Sequence, residues 1–182
     1  MTLRVRPGTP SLRRRDFIAA LRESFAKARN DESFRLVHYS IQRDHLHLIV
    51  EANGHEALGR GMKSVGSRIA RAVHRTFSRT GKVMAGRYHV RWLTSPRQVY
   101  NALQYTLLNV RKHYRQRMGE APPVRIDEAS SGRWFDGWRT KPPGSIKNAR
   151  RETADARTWL LRAAWRRYGT IDPASVPALA AK

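Results

Sequence analysis

The 182-residue chain predicts an α+β fold built on an antiparallel sheet. Three observations point to it. Residues 34–52 hold two apolar, β-prone runs around a polar Gln42-Arg43-Asp44 turn, the pattern of a β-hairpin. Two long stretches, about 56–79 and 96–118, repeat apolar residues every three to four positions, the spacing of one helix face. The predicted elements follow one another as β-α-β-β-α-β, with one further helix.

In order, Thr2 to Arg6 alternates as a short strand and closes at Pro7-Gly8-Thr9-Pro10. Ser11 is a candidate cap for a helix over 12–29, with Phe17, Ile18, Leu21 and Phe25 as its apolar stripe. The hairpin strands are expected at 34–41 and 45–52. The next helix carries Leu58, Met62, Val65, Ile69, Val73 and Phe77 inward and is expected to stop at Gly81. A fourth strand is expected over 88–93. Ser95-Pro96-Arg97-Gln98 then starts a helix well: Ser as cap, Pro in the first turn and Gln three residues after the cap. Val99, Leu103, Thr106 and Val110 are its core positions.

Together these elements give the ferredoxin-like split βαβ arrangement, an antiparallel sheet with helices on one face, in a domain of residues 1–118. Residues 119–182 form a C-terminal irregular and helical appendage. It begins as a basic, aromatic loop over 119–147, with Pro122-Pro123, Ser130-Ser131-Gly132 and Pro142-Pro143-Gly144. A helix is expected over 153–168, burying Trp159, Leu161, Ala164, Trp165 and Tyr168, and a frayed end from Ile171.

Lys and Arg number 36 against 14 Asp and Glu, a formal net charge of +22. That balance calls for a polyanionic partner, with nucleic acid ahead of an anionic membrane. Cysteine is absent, which excludes disulfides and thiolate metal sites. Any metal must be held by His, carboxylate or amide. No apolar run approaches the ~20 residues of a membrane span, and the N-terminus lacks a signal-peptide core, so a cytoplasmic protein is expected.

His45 and His47 alternate with Leu46 and Leu48, so both imidazoles share one face of a strand. Two neighbouring imidazoles are half of a metal site; a pair of half-buried structural histidines is the competing reading. Tyr105 and Asn109 lie one helical turn apart on one face, and Asn101 and Lys112 extend that face. A tyrosine phenol has an ordinary pKa near ~10 and attacks a phosphodiester only when deprotonated or when a metal polarises the phosphate. Tyr100 and Tyr114 fall on other faces, which favours a single nucleophile.

Arg60, Lys63, Ser67, Arg71 and Arg75 form a candidate phosphate track or an ordinary solvated face. Arg87, His89 and Arg91 alternate on the expected fourth strand as further DNA-binding candidates. Trp134, Trp138 and Arg139 either stack on bases or, the favoured reading, pin the tail to the domain. His38, His74 and His113 have no assigned role.

These residues resemble the single-tyrosine HUH transposases, the IS200-like enzymes, and in particular the branch of REP-associated tyrosine transposases. The resemblance rests on Asp44-His45-Leu46-His47-Leu48-Ile49-Val50-Glu51, on Gly81-Lys82-Val83-Met84-Ala85-Gly86-Arg87-Tyr88-His89, and on Ala102-Leu103-Gln104-Tyr105-Thr106-Leu107-Leu108-Asn109, in that order. It covers residues 2–116. It implies the HUH endonuclease fold and a nuclease that nicks and rejoins single-stranded DNA at hairpin or inverted-repeat elements, the chemistry of DNA transposition and recombination. It further implies a divalent metal, Mg2+ or Mn2+, with His45 and His47 as ligands and Asn109 at the third-ligand position. Tyr105 would be the nucleophile that forms a 5′-phosphotyrosine intermediate. Some relatives carry Gln where this chain has Asn109; Asn is one methylene shorter, which leaves direct contact and a bridging water both open. Monomer and homodimer both fit.

Two other readings stay open on the residues alone. One is a non-catalytic or domesticated protein that binds hairpin DNA or RNA on the same fold; the aromatic strand motif of RNA-recognition domains is missing from the chain. The other is a metal phosphodiesterase that uses water in place of Tyr105.

Overall fold

A computed structural model describes residues 1–29, 31–143 and 150–177. Gly144 and the rest of the expected loop to 147, like the last residues 178–182 of the expected frayed end, lie outside the described residues.

Three strands form an antiparallel sheet in the order β1-β3-β2: β1 (Thr2–Arg4), β2 (Phe34–Ile41) and β3 (His45–Ala52). The hairpin stands where the alternation put it. Thr2 pairs with His47 and Arg4 with His45 across β1–β3, and Ser40 with His47 across β2–β3. A bulge between Leu36 and His38 shifts the register, and both Val37 and His38 turn toward the side of the sheet that carries His47.

Helices α1 (Arg15–Lys27) and α2 (Gly54–Phe77) cover one face. Their apolar stripes meet Leu3, Val5, Tyr39, Ile41, Leu46 and Leu48, all buried, to form the main core. Truncating any such leucine to alanine costs about 2–5 kcal/mol. Gly61 is required for this packing: a Cβ there would lie 2.0 Å from the Phe34 ring. Helix α3 (Pro96–Met118) covers the opposite face through Val99, Leu103 and Leu107 against Val37 and Ile49. It has the predicted cap, with Ser95 Oγ accepting from the Gln98 N–H at 3.3 Å.

The expected fourth strand is not a strand. Residues 83–89 run along the open edge of β1 and touch it at two isolated bridges, Thr2 with His89 and Val5 with Met84. Between them, Gly86-Arg87-Tyr88 bows away from the edge, which breaks the ladder. Two helix ends also differ from expectation. Ser11 bonds the Arg13 N–H in a turn, and α1 starts after Arg14 without a side-chain cap. Ser78, not Gly81, takes the left-handed conformation that ends α2, at φ 49°.

Beyond α3 the chain returns across both α3 and the sheet. Ile41 N–H donates to Ala129 O at 2.8 Å and Tyr39 N–H to Ser131 Oγ at 3.0 Å, so residues 129–131 cover the outer edge of β2. A short 3-10 turn, Ser131–Trp134, follows. Glu152 is buried and accepts from the Tyr39 hydroxyl and Trp134 Nε1, each at 2.6 Å. The expected helix over 153–168 reduces to one turn, α4 (Trp159–Arg162), capped by Thr158, and a 3-10 segment, Ala164–Tyr168. Ala163, at φ −135°, breaks it. Leu161, Ala164 and Trp165 are buried as expected, but Trp159 and Tyr168 are exposed. Ile171 is fully buried and bridges Trp138, so the end is docked there rather than frayed. Trp134 and Trp138 pin this segment; Trp138 Nε1 donates to Gly132 O at 2.9 Å. Among the described residues, no helix is long and apolar enough to cross a membrane.

Candidate metal and nucleophile site

Strand alternation places Leu46 and Leu48 in the main core and turns His45 and His47 to the α3 side. The two Nε2 atoms lie 3.1 Å apart. Two nitrogens bound to one ion at 2.0–2.1 Å would be separated by roughly 2.9–3.4 Å. The pair therefore has the spacing of two ligands on one metal.

The outer nitrogens of both rings are engaged. Asp44 Oδ1 lies 2.7 Å from His45 Nδ1 and accepts its hydrogen, which leaves the Nε2 lone pair of His45 free. That bond also holds the Asp44 carboxyl below its ordinary range. Thr2 Oγ1 lies 3.2 Å from His47 Nδ1 and serves His47 the same way. Burial pushes the His47 pKa down to about 3, aided by the neighbouring charges of His45 and Lys112. His47 is a neutral imidazole at physiological pH, the form that binds metals.

Helix α3 supplies the rest. The ring of Tyr105 meets His47 edge to face, with centroids 5.0 Å apart. Burial raises the Tyr105 pKa, so the phenol stays protonated until something stabilises its anion. One turn on, Asn109 is fully buried, and neither its amide oxygen nor its nitrogen has a hydrogen-bond partner among the described residues. Leaving such an amide unpaired costs about 1–3 kcal/mol. An oxygen so placed fits a hard divalent ion. Among the described residues no group of three or more His, Cys, Asp or Glu side chains could hold a metal, so an amide or water would complete the shell. Lys112 is also buried, has no acidic partner among the described residues, and places Nζ 4.9 Å from the centroid of the Tyr105 ring.

The structure thus brings His45, His47, Tyr105 and Lys112 to one place, and Asn109 lies on α3 between Tyr105 and Lys112. It separates them from the α2 stripe. Arg60, Lys63, Arg71 and Arg75 sit on the helix that covers the far side of the sheet. Arg71 and Arg75 line a groove of about 420 Å³ between α1 and α2 with Arg68 and Lys27. Lys63 and Ser67 share a second groove with Arg87, which connects the stripe to the β1 edge. There Arg87, His89 and Arg91 are exposed. His89 pairs with Thr2, which pairs with His47, so the three residues form a row across the sheet on the site's face.

Four neighbours lacked an assigned role in the sequence reading. Thr2 and Arg4 flank the histidines by register, and the alternation of the first strand was their signal. Asp44 directly precedes His45. His113 follows Asn109 by one turn on the same helix face, and its charge is felt at His47.

Residues 10–95 match the family model described as Transposase IS200 like. That span takes in the hairpin with both histidines and all of α2, and ends before Tyr105. Searches of curated proteins and of solved structures return no match. A basic α+β chain with paired histidines on its hairpin is thus similar, over residues 10–95, to the IS200-like transposases.

Proposed function

We propose that this protein is a transposase that nicks and rejoins single-stranded DNA through a covalent link between Tyr105 and a 5′-phosphate. The observation that carries this reading is the contact of Tyr105 with His47, beside a second histidine at ligand spacing. Mg2+ or Mn2+ bound by His45, His47 and the Asn109 amide, directly or through water, would polarise the scissile phosphate. The Tyr105 hydroxyl attacks phosphorus, the P–O3′ bond breaks, and the 3′-oxygen takes up a proton as the phenol loses one. The phosphotyrosine keeps the bond energy, so a 3′-hydroxyl reverses the step and joins strands.

Lys112, buried and without an acidic partner among the described residues, suits a non-bridging phosphate oxygen. Arg87, His89 and Arg91 contact the strand as it leaves the site along the β1 edge, and Arg60, Lys63, Arg71 and Arg75 hold the flanking hairpin. Histidines and tyrosine come from one chain, so a monomer suffices for chemistry. Residues 1–118 carry the reaction, and the described residues of 119–182 brace α3 against the sheet.

The test is incubation of the protein and Mn2+ with labelled single strands that carry the inverted repeats flanking its gene. An SDS-resistant protein–DNA band is expected from wild type and not from Tyr105→Phe. Cleavage that survives Tyr105→Phe means water is the nucleophile. Binding with no cleavage by wild type means a DNA-binding protein without this activity.

A further inference from the structure

We propose that Trp92, with the groove it shares with His55, is a stacking site for one unpaired base of the DNA strand held at the histidine pair. This rests on the nickase reading and adds a substrate contact to it. The groove holds about 410 Å³, within the ~300–1,000 Å³ of small-molecule sites. Its floor is largely apolar and includes Ile49 and Val50; its wall is Trp92, 59 % exposed, with His55 edge-on at 5.5 Å between ring centroids. An exposed indole beside an imidazole offers a sequence-tolerant platform, because every base has a π-face.

Position and charge select the occupant. Ile49 lies on the same face of β3 as His47, two residues and roughly 7 Å along the strand, so one lining residue of the groove neighbours the histidine. That is within reach of a nucleotide near a phosphate held there. Arg91, which also lines the groove, is exposed and has no acidic partner among the described residues, so it is available to the backbone of the same strand. Glu51 is the one carboxylate in the lining, and it is already engaged. It accepts from the backbone N–H of Arg157 and Thr158 at 2.8 and 2.9 Å and from the Thr158 hydroxyl at 2.6 Å. The segment of Arg87, His89 and Arg91 therefore leads a strand from the site to Trp92.

The test measures the affinity of the full chain for labelled (dT)15 and for an abasic strand of the same length, by fluorescence anisotropy. Trp92→Ala is expected to weaken (dT)15 binding about tenfold and leave abasic binding unchanged, with Trp92→Phe within about threefold of wild type. Unchanged (dT)15 binding, an equal loss on both strands, or a Trp92→Phe variant as weak as Trp92→Ala would overturn the proposal. Because (dT)15 binding needs no cleavage, failure of the covalent-adduct assay would strike the nickase reading and leave this measurement standing.

Discussion

Tyr105 on α3 and His47 on β3 meet edge to face within one chain, with ring centroids 5.0 Å apart. This contact couples the two halves of the site. The strand fixes the face of the two histidines by alternation, and the helix delivers Tyr105 to it. Arg111, buried on the same helix, donates to the carbonyls of Pro123, Ala174 and Ser175 and so ties the appendage to the helix that bears Tyr105.

Asp44 orients His45, and loss of such a partner typically costs 10–100-fold in metal affinity. Asp44 is half-exposed, which places the effect at the low end. Asp44→Asn should weaken Mn2+ binding about tenfold, and His45→Ala should abolish it, both read by calorimetry. An Asp44→Asn protein with wild-type affinity would show that the carboxylate has no part in the ligand shell.

Asn109 carries a stability cost that a ligand would offset. Asn109→Leu, close in size and without polar atoms, should raise the stability of the metal-free protein by about 1 kcal/mol and weaken Mn2+ binding. Urea unfolding and calorimetry on the same preparation check both. Lower stability with unchanged metal affinity would make Asn109 a structural residue.

His38 provides a pH dependence with a defined sign. It is buried against Phe135 and Ser131, and burial lowers its pKa from 6.5 to about 4. The folded state thus binds the proton more weakly than the unfolded state. The stability contribution is complete above pH 6.5 and is lost as pH falls from 6.5 toward 4. Between pH 7.5 and 5 this amounts to about 2 kcal/mol. His38→Gln should remove that share of the slope. His47, lowered by burial to about 3, contributes a share of similar size and the same sign, and His113 adds to it, so the variant keeps a residual slope. Parallel pH profiles for wild type and His38→Gln would contradict this.

The hairpin, α3 and its cap were legible because their signals are local: alternation in 45–52, and a Ser-Pro-Arg-Gln start ahead of a 3.6-residue period. The juxtaposition of His47 with Tyr105 followed from the family resemblance, not from any local pattern. Residues 88–93 have strand composition but pair at one bridge, His89 with Thr2, beyond the bow at 86–88. The spacing of Leu161, Ala164, Trp165 and Tyr168 predicts a helix over 153–168, yet Glu152 and Ala154 are bonded to Tyr39 and Leu36, far along the chain. Ile171 is buried by Trp138 for the same reason. Which face of the sheet receives the α2 arginines is likewise a tertiary fact; the spacing gives a stripe and not its address.

The most direct measurement is mass spectrometry of the covalent adduct after nuclease trimming. Trypsin releases Gln98 to Arg111 as one peptide, which holds both Tyr100 and Tyr105. Fragmentation should place the nucleotide phosphate on Tyr105. A phosphate on Tyr100, which packs against Trp165 and Tyr168 away from the histidines, or cleaved DNA with no modified peptide, would contradict the account.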